Sequence, residues 1–204
     1  MPRGTPFHER TREACLTYSW KDWAGYHAVR QYGLSPDREY NAIRQGSALL
    51  DVTPLYKYDI SGPDAGTFLS RVLVRDVRSL KKGRMTYLCW CDGDGKVLDD
   101  GTCARLDEER YRLTAAAPSL HWLSRHAEPF DVSIDDLSDT MGALALQGPT
   151  SRELLRQVCD ADMDKLKFFG IAETRFASGP GWLSRTGYTG DLGYELWVPN
   201  EQAI

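Results

Sequence analysis

The chain contains a series of short strand-like runs separated by tight turns, and this pattern limits its possible folds more than any other feature. Asp-Gly and Ser-Gly-Pro-Gly turns join several of the runs, and short turns of this kind connect antiparallel strands. Helical segments are few and irregularly spaced, so the rhythm of a doubly wound parallel sheet is missing. We therefore predict an α+β fold with mostly antiparallel strands. The predicted strands cover residues 85–91, 96–106, 110–116, 131–134, 172–177, 182–186 and 194–198.

Two segments share one plan, in which a strand ends at Gly-Pro and a helix follows. Gly62-Pro63 and Gly148-Pro149 mark the breaks, and proline suits a first helical turn because its missing N–H has no partner there. After the second break, Leu154, Leu155 and Val158 are expected on a buried helix face. The shared plan indicates two related halves. After the first break, the residues expected to form a buried stripe are Ala65, Phe68, Leu69, Val72 and Leu73.

Two further helices are indicated by their expected first residues. Ser35 is expected to cap a helix that ends at about Gln45, because a serine hydroxyl can accept a bond from an otherwise unpaired N–H group. Another helix is expected to begin at Pro118 and to bury Leu120 and Leu123.

Composition excludes several functional classes. The 204 residues are 42% hydrophobic and 26% charged, which is typical of a globular protein. The net charge of -4 does not provide the basic surface of a nucleic-acid-binding protein. No stretch approaches the roughly 18 apolar residues of a membrane span, and the first thirty residues lack the apolar core of a signal peptide. We therefore expect neither a nucleic-acid partner nor a membrane span.

The cysteines indicate a reducing compartment. Their number is five, and none forms a Cys-x-x-Cys pair, so we expect a cytoplasmic protein rather than a disulfide framework. Cys89 and Cys91 flank Trp90 and point to one strand face, where buried thiols are favoured over metal ligands. The histidines show no zinc spacing, so no metal site is predicted.

Residues 92–101 hold four carboxylates and three glycines. A calcium loop is excluded because positions 5 and 12 of an EF-hand register would be Lys96 and Cys103. An Asp-Gly turn explains the first half of the stretch. By strand alternation, either Asp99 or Asp100 must point toward an apolar side, which costs free energy unless the carboxylate is paired or used. Two interpretations remain open. The segment is either an acidic strand beside a tight turn or the support of a catalytic acid.

A glycine-rich segment near residue 190 is the second unusual feature. Gly187, Gly190 and Gly193 sit three apart among aromatic residues, and a strand follows with Glu195 and Trp197 on one face. A phosphate loop is excluded because its lysine is missing. The glycines could let backbone approach a flat ring whose N–H edge meets a carboxylate. A glycine-rich hairpin with a surface glutamate is the alternative, and both readings remain open.

Several of these stretches occur together in one known order. They are Ala42-Ile-Arg followed by Asp51-Val52, Tyr87 twelve residues before Asp99, Gly95-Lys-Val-Leu-Asp-Asp100, Gln147-Gly-Pro149, and Thr186-Gly-Tyr-Thr-Gly-Asp-Leu-Gly-Tyr-Glu195. In this order they resemble the motifs of the aminomethyltransferase (glycine-cleavage T-protein) family of tetrahydrofolate-dependent one-carbon transferases. The resemblance extends across nearly the whole chain.

The resemblance implies an enzyme that uses tetrahydrofolate. It would move an aminomethyl or methyl group to tetrahydrofolate from a small or carrier-bound donor, and a lipoyl carrier protein is one such partner. The implied fold has two interleaved subdomains with a folate channel between them. Residues 1–52 and 139–204 would form the first subdomain and residues 53–138 the second, inserted one. The family's C-terminal domain is expected to be absent from this chain.

The resemblance also assigns roles to individual residues. Glu195 would accept hydrogen bonds from the N–H edge of the pterin ring. Tyr188 and Tyr87 would line the ring or stack on it. Asp99 would be the catalytic residue near the folate nitrogens that carry the one-carbon unit, and Asp100 would support it.

The chain departs from the family pattern where the one-carbon donor is expected. Thr114-Ala-Ala-Ala117 replaces a Val-Asn-Ala stretch, so Ala116 stands where the family has asparagine. Asp51-Val-Thr-Pro-Leu55 replaces Asp-Val-Ser-His-Met. Two alternatives therefore remain. One is a folate-dependent demethylase of an N-, O- or S-methyl compound. The other is a non-catalytic folate-binding relative, whose Lys-Gly-Cys-Tyr-x-Gly-Gln motif is not found in this sequence.

Overall fold

The computed structural model describes residues 1–203, which divide into two compact units. Unit 1 comprises Met1–Pro54 and Thr140–Ile204, and unit 2 comprises Leu55–Asp139. Unit 2 is continuous in sequence, whereas unit 1 is assembled from two separate segments. Within the described residues, no helix is both long enough and apolar enough to cross a membrane.

Strands dominate the described part of the chain. All pairings between the strands are antiparallel, so the prediction of an α+β fold with mostly antiparallel strands is confirmed. In chain order the elements are α1 (His8–Ala14), β1 (Ser19–Trp23), β2 (Tyr26–Gln31), α2 (Pro36–Gln45), β3 (Ala48–Asp51), β4 (Tyr56–Ser61), α3 (Ala65–Val72), β5 (Arg84–Cys91), β6 (Val97–Asp107), β7 (Arg110–Ala115), α4 (Leu120–Ala127), β8 (Ser133–Asp136), β9 (Met141–Gln147), α5 (Ser151–Val158), β10 (Ile171–Phe176), β11 (Gly179–Ser184) and β12 (Gly193–Pro199).

The sheet of unit 2 has the strand order β5-β6-β7-β4-β8. One face carries large apolar residues such as Ile60, Trp90 and Leu113, which pack with residues of α3 and α4. Full burial of each such side chain stabilises the fold by about 1.5–3 kcal/mol. The stripe predicted after the first Gly-Pro break is confirmed, because all five of its residues are buried.

The main sheet of unit 1 has the order β10-β11-β12-β9-β3, and β1 and β2 form a separate hairpin. Its core contains Leu146, Leu183 and Tyr194 from the sheet and Leu155 from α5. At the start of α2 the hydroxyl of Ser35 accepts a bond from the N–H of the second helical residue at 3.3 Å, so the predicted cap is confirmed.

The burial predicted for two helices is partly wrong. In α5, Leu155 is buried, but Leu154 and Val158 are 44% and 50% exposed. The reason is that Ser151 and Leu155, one helical turn apart, form the buried stripe, and the other two residues flank it on the solvent side. The helix α4 begins at Leu120 rather than at Pro118, and Leu120 is itself exposed.

The order of elements repeats once along the chain. The series α2, β3, β4, α3, β5, β6, β7 is followed by α4, β8, β9, α5, β10, β11, β12. The first strand of each series pairs with the Gly-Pro strand of the other series, because β3 pairs with β9 and β8 pairs with β4. The two related halves predicted from sequence are therefore present, and they exchange their edge strands.

The glycine of each Gly-Pro break lies against the segment that leads into the exchanged strand. Gly62 has φ +129° and Gly148 has φ +131°, a backbone conformation that L side chains rarely adopt. A Cβ on Gly148 would lie 2.3 Å from the carbonyl oxygen of Gly46, and one on Gly62 would lie 2.4 Å from that of Asp131. The N–H two residues after each glycine donates to the same carbonyl, at 3.1 and 3.3 Å. Only glycine fits these two positions.

The cysteines of β5 differ from the expectation. Cys89 and Cys91 are half-buried rather than buried, because they lie on the sheet face opposite to the core residue Trp90. Burial raises the pKa of the Cys91 thiol, and the neighbouring Cys89 thiol adds to the effect. These two positions are therefore partly accessible to solvent.

In the sheet of unit 2, an acid on β4 is buried against two guanidinium groups of the neighbouring strand β7. Asp59 and Arg112 face each other on β4 and β7, and both are almost fully buried. Arg112 donates Nε to Oδ1 at 2.7 Å and Nη2 to Oδ2 at 3.0 Å, and Arg110 donates Nη2 to Oδ2 at 2.6 Å. The charges compensate one another, which is the condition for burying them.

Removal of this acid should destabilise the protein strongly. The variant Asp59→Ala is expected to lower the free energy of unfolding by about 3–5 kcal/mol, because the charge of Arg112 would stay buried after its acid is lost. Denaturant titration followed by circular dichroism measures the change. Asp107→Ala is the matched control, because Asp107 pairs with Lys82 at the exposed surface, and it should leave the unfolding midpoint unchanged. Equal effects of the two variants would contradict this account.

Candidate functional site

The side chain of Gln147, the residue before the second Gly-Pro break, organises the glycine-rich segment. A Cβ on Gly187 or Gly193 would lie 2.0 or 2.1 Å from its Oε1, so no side chain fits at either position. The amide Nε2 donates to the carbonyl oxygens of Thr186 and Tyr194 at 3.4 and 3.3 Å. Two of the three glycines are therefore required by a buried side chain of the protein itself.

The tip of the same segment is held by Thr189 and Arg44. The Thr189 hydroxyl donates to Oε1 of Gln147 at 3.0 Å. Arg44, in the last turn of α2, donates to the carbonyl oxygen of Thr189 at 2.7 Å and pairs with the carboxylate of Asp191. Tyr188, which was expected to line or stack on the folate ring, lies at this tip and is fully exposed. The motifs that contain Arg44, Gln147 and the glycine-rich segment thus meet in unit 1.

Glu195 lies on β12 directly after this segment, opposite Ser184 of β11 and Ala145 of β9. The residue is only partly exposed, and burial raises the pKa of its carboxyl from 4.5 to about 7. A hydrogen bond with Ser184 acts in the opposite direction but is the smaller effect. Around neutral pH this acid therefore exists in both protonation states.

The repeat makes Glu195 comparable with Arg112. Each faces the residue three positions before a Gly-Pro glycine, Ala145 for Glu195 and Asp59 for Arg112. The charge of Arg112 meets an acid, whereas no cationic side chain within residues 1–203 pairs with Glu195. Such a desolvated acid lowers stability unless a ligand uses it, so Glu195 is the strongest candidate for a ligand contact in unit 1.

In unit 2, the carboxylate of Asp99 is held by backbone groups. The residue is half-buried on β6, opposite the buried Trp90. Its Oδ2 accepts from the N–H groups of Ala116 and Ala117 at 3.0 and 2.8 Å, and its Oδ1 accepts from that of Asp100 at 2.8 Å. A carboxylate offers about four acceptor positions, so about one remains for a ligand. Ala116, predicted to stand in place of an asparagine, contributes its backbone N–H.

Asp100 and Tyr87 lie on the other face of the β5–β6 pair, because consecutive strand residues point to opposite faces. The Tyr87 hydroxyl donates to the carboxylate of Asp100, and this hydrogen bond raises the pKa of the phenol. Both residues are exposed. The structure therefore brings Tyr87 to Asp100 and places Asp99 on the opposite side of the strands.

Residues 92–96 form the tight turn that the sequence predicted. The N–H of Asp92 donates to the carbonyl oxygen of Lys96 at 2.9 Å, and Oδ1 of Asp92 accepts from two backbone N–H groups, both at 2.9 Å. The expected apolar side beside the acids is not formed by Val97 and Leu98, which are 65% and 47% exposed. They follow the turn directly and lie at the end of the hairpin. The apolar neighbour of Asp99 is instead Trp90, directly across from it on β5, whereas Asp100 lies on the opposite face with Tyr87.

Comparison with known proteins places this geometry in a family. Residues 9–204 match the family described as "GCVT N-terminal domain". The chain belongs to this family. The resemblance read from the ordered motifs is therefore confirmed.

Curated relatives of this GCVT-domain chain are named aminomethyltransferase. The one from Bacillus subtilis (strain 168) is 36% identical over 211 residues, which cover 100% of this chain and 57% of that protein. The one from Streptomyces coelicolor is 36% identical over 187 residues, covering 90% and 50%. The one from Clostridium botulinum (strain Loch Maree) is 34% identical over 188 residues, covering 89% and 50%. The chain thus spans about half the length of these relatives.

Solved structures have the same fold. The crystal structure of glycine cleavage system aminomethyltransferase T from Bartonella henselae superposes with a TM-score of 0.87 at 27% identity, covering 98% of this chain and 54% of that chain. Heterotetrameric sarcosine oxidase from Corynebacterium sp. U-96 superposes with a TM-score of 0.63 at 15% identity, covering 98% and 91%. The second likeness concerns the fold alone.

The motifs in the sequence do not mark the side chains of Gln147 and Ser184 as parts of a site. A partial signal for Gln147 exists, because Gly187 and Gly193 leave room for a buried side chain, but the sequence does not show which residue fills it. No local signal marks Ser184, because its position opposite Glu195 follows only from the register of β11 and β12.

The packing of Gln147 can be tested by filling the space beside it. Gly193→Ala is expected to lower the free energy of unfolding by about 1–3 kcal/mol, because the new methyl group overlaps the Gln147 amide. Gly93→Ala is the matched control, because nothing lies within 4 Å of its Cβ position. Gln147→Ala removes the overlap, so the double variant should lose less stability than the sum of the single variants. Additive losses would disprove the contact.

Proposed function

We propose that this chain is the folate-binding part of a tetrahydrofolate-dependent one-carbon transferase of the aminomethyltransferase type. The observation that carries the proposal is Glu195, a desolvated acid without a cationic partner among the described residues. Its position, at the end of the glycine-rich motif, is the one the family resemblance assigns to pterin recognition. The names of the curated relatives support the reaction class.

Glu195 would bind the N–H edge of the pterin ring. The ring presents donors and needs a negatively charged acceptor, and each hydrogen bond to a charged group contributes about 1.5–3 kcal/mol. The small Ala145 beside the acid leaves its carboxylate without a competing polar neighbour on β9. Tyr188 is exposed and available to stack on an aromatic ring.

Asp99 would act at the folate nitrogens. Its three backbone hydrogen bonds fix the carboxylate before any ligand arrives, which is the condition for electrostatic stabilisation without reorganisation. A fixed negative charge at this position would stabilise positive charge that develops on the one-carbon centre during transfer. It can also accept a proton, a contribution of about 10²–10⁴-fold in rate. Asp100 and Tyr87 would support the strand from its other face.

The donor is proposed to be an aminomethyl group, following the names of the curated relatives. A lipoyl-bound aminomethyl group, an N-methyl amine and an O- or S-methyl compound are the four donors to compare. Turnover with a methyl donor alone would identify a demethylase. Folate binding without turnover of any donor would identify a non-catalytic relative.

We also propose a cytoplasmic location. All five cysteines are free, and Cys89, Cys91 and Cys159 are partly exposed to solvent. Partly exposed free thiols are maintained by a reducing compartment. Fractionation of cells that produce the protein tests this location.

Glu195→Gln should stabilise the unliganded protein in a pH-dependent way. The unfolded carboxyl ionises above about 4.5 and the folded one above about 7, so the cost of the buried charge develops between these pH values. The variant is therefore expected to gain more unfolding free energy at pH 8 than at pH 5, measured by denaturant titration. A gain independent of pH would contradict the raised pKa.

The same variant should bind tetrahydrofolate less well. Wild-type affinity, measured by anaerobic calorimetry, is expected to increase as the pH rises through about 7. The reason is that only the ionised carboxylate has both oxygens free to accept hydrogen bonds from the N–H edge of the ring. Glu195→Gln should lose about 10- to 100-fold in affinity at pH 8, equivalent to one charge-assisted hydrogen bond. Tetrahydrofolate should also raise the Tm of the wild type more than that of the variant. Equal affinities would refute the role of Glu195.

Asp99→Asn should separate catalysis from binding. Turnover with the preferred donor is expected to fall by about 10²-fold or more, with folate affinity little changed. Asp92→Asn is the matched control, because Asp92 also accepts two backbone N–H bonds but belongs to the hairpin turn, and it should retain activity. An unchanged rate in Asp99→Asn would remove Asp99 from the mechanism.

A further inference from the structure

Ser184 is a fully buried serine that lies opposite a carboxyl residue and bonds to an indole. It faces Glu195 directly in the pairing of β11 and β12. The Nε1–H of Trp197, which shares a strand face with Glu195, donates to Oγ of Ser184 at 3.4 Å. Trp197 is also buried, so solvent does not compete for this contact.

The chemistry of the three groups fixes the direction of both hydrogen bonds. An indole N–H can only donate, so the Ser184 oxygen must be the acceptor of the first bond. A serine hydroxyl carries one hydrogen, which is then free to be donated to the carboxyl of Glu195. This direction agrees with the effect of Ser184, which lowers the pKa of Glu195 against the larger effect of burial.

We propose that Trp197 and Ser184 are positioning residues for Glu195, with the indole orienting the hydroxyl and the hydroxyl holding the carboxylate as an acceptor for its ligand. The inference rests on the proposed function only for what the ligand is. The pairing of Ser184 with Glu195 and the indole–hydroxyl bond belong to the unliganded protein.

A neutral donor suits an acid that must remain available. The guanidinium groups around Asp59 saturate that carboxylate with four donated bonds and neutralise it. Ser184 offers one bond and no charge, so the negative charge of Glu195 and most of its acceptor positions are left for a ligand. The residues that face Glu195 from the flanking strands are Ser184 and Ala145, and neither carries a charge.

The test measures the ionisation of Glu195 without any folate. Proteins with ¹³C-labelled glutamate carboxyl groups are titrated by NMR, and the Glu195 signal is assigned from Glu195→Gln. In the wild type the midpoint is expected at about pH 7. It should move to higher pH in Ser184→Ala and, by a smaller amount, in Trp197→Phe. Ser184→Thr keeps the hydroxyl and should restore the wild-type midpoint.

Ser151→Ala is the matched control, because Ser151 is buried to the same extent in the same unit but bonds to a backbone carbonyl. It should leave the Glu195 midpoint unchanged. Thermal unfolding of each variant shows that it is folded. A midpoint in Ser184→Ala equal to that of the wild type overturns the proposal, and so does an equal shift in Ser151→Ala.

Tetrahydrofolate affinity provides the second measurement. Ser184→Ala is expected to lose about tenfold at pH 7 and less at pH 9, where Glu195 is ionised in every variant. A loss that is the same at both pH values indicates a merely structural role and counts against the proposal. A shifted midpoint with no tetrahydrofolate binding by any protein, the wild type included, would refute the proposed function while supporting the positioning role.

Discussion

Close backbone contact at the two Gly-Pro breaks determines how the rest of the chain is arranged. Gly62 and Gly148 each press against a carbonyl group of the segment that precedes an exchanged edge strand. Because the contact leaves no space for a Cβ and needs a positive φ, it selects glycine sterically. It places an edge strand beside each Gly-Pro strand and sets the position of the helix that follows. The same Gly-Pro strand β9 pairs on its other side with β12, which carries Glu195.

The repeated architecture supports two different electrostatic solutions at one position. In unit 2 the position holds Arg112, and its charge is compensated by Asp59. In unit 1 it holds Glu195, which has a neutral serine beside it. The first arrangement stabilises the fold, whereas the second leaves a desolvated acid whose charge costs stability. A fold can tolerate that cost at one site when a ligand compensates it.

Features encoded by neighbouring residues could be predicted from the sequence, and those that depend on distant pairing could not. The Ser35 cap, the stripe after Gly62-Pro63 and the turn at residues 92–96 follow from local spacing, and the structure confirms them. The exposure of Leu154 depends on which side of α5 meets the sheet, which no local pattern reveals. The amide partners of Asp99 lie 17 and 18 residues further along the chain. The family motifs predict a ligand contact at Glu195, but only strand register connects this residue with Ser184.

The exchange of edge strands also decides when each sheet can be completed during synthesis. All five strands of the unit 2 sheet lie within Leu55–Asp139, so they are translated before β9 exists. The strand β3 is made earlier still, yet its partner β9 begins only at Met141. When all strands of the unit 2 sheet have been made, β3 therefore still lacks its partner and has an open edge. Unpaired edges of this kind attract other chains, so β3 is prone to pair with them until β9 has been made.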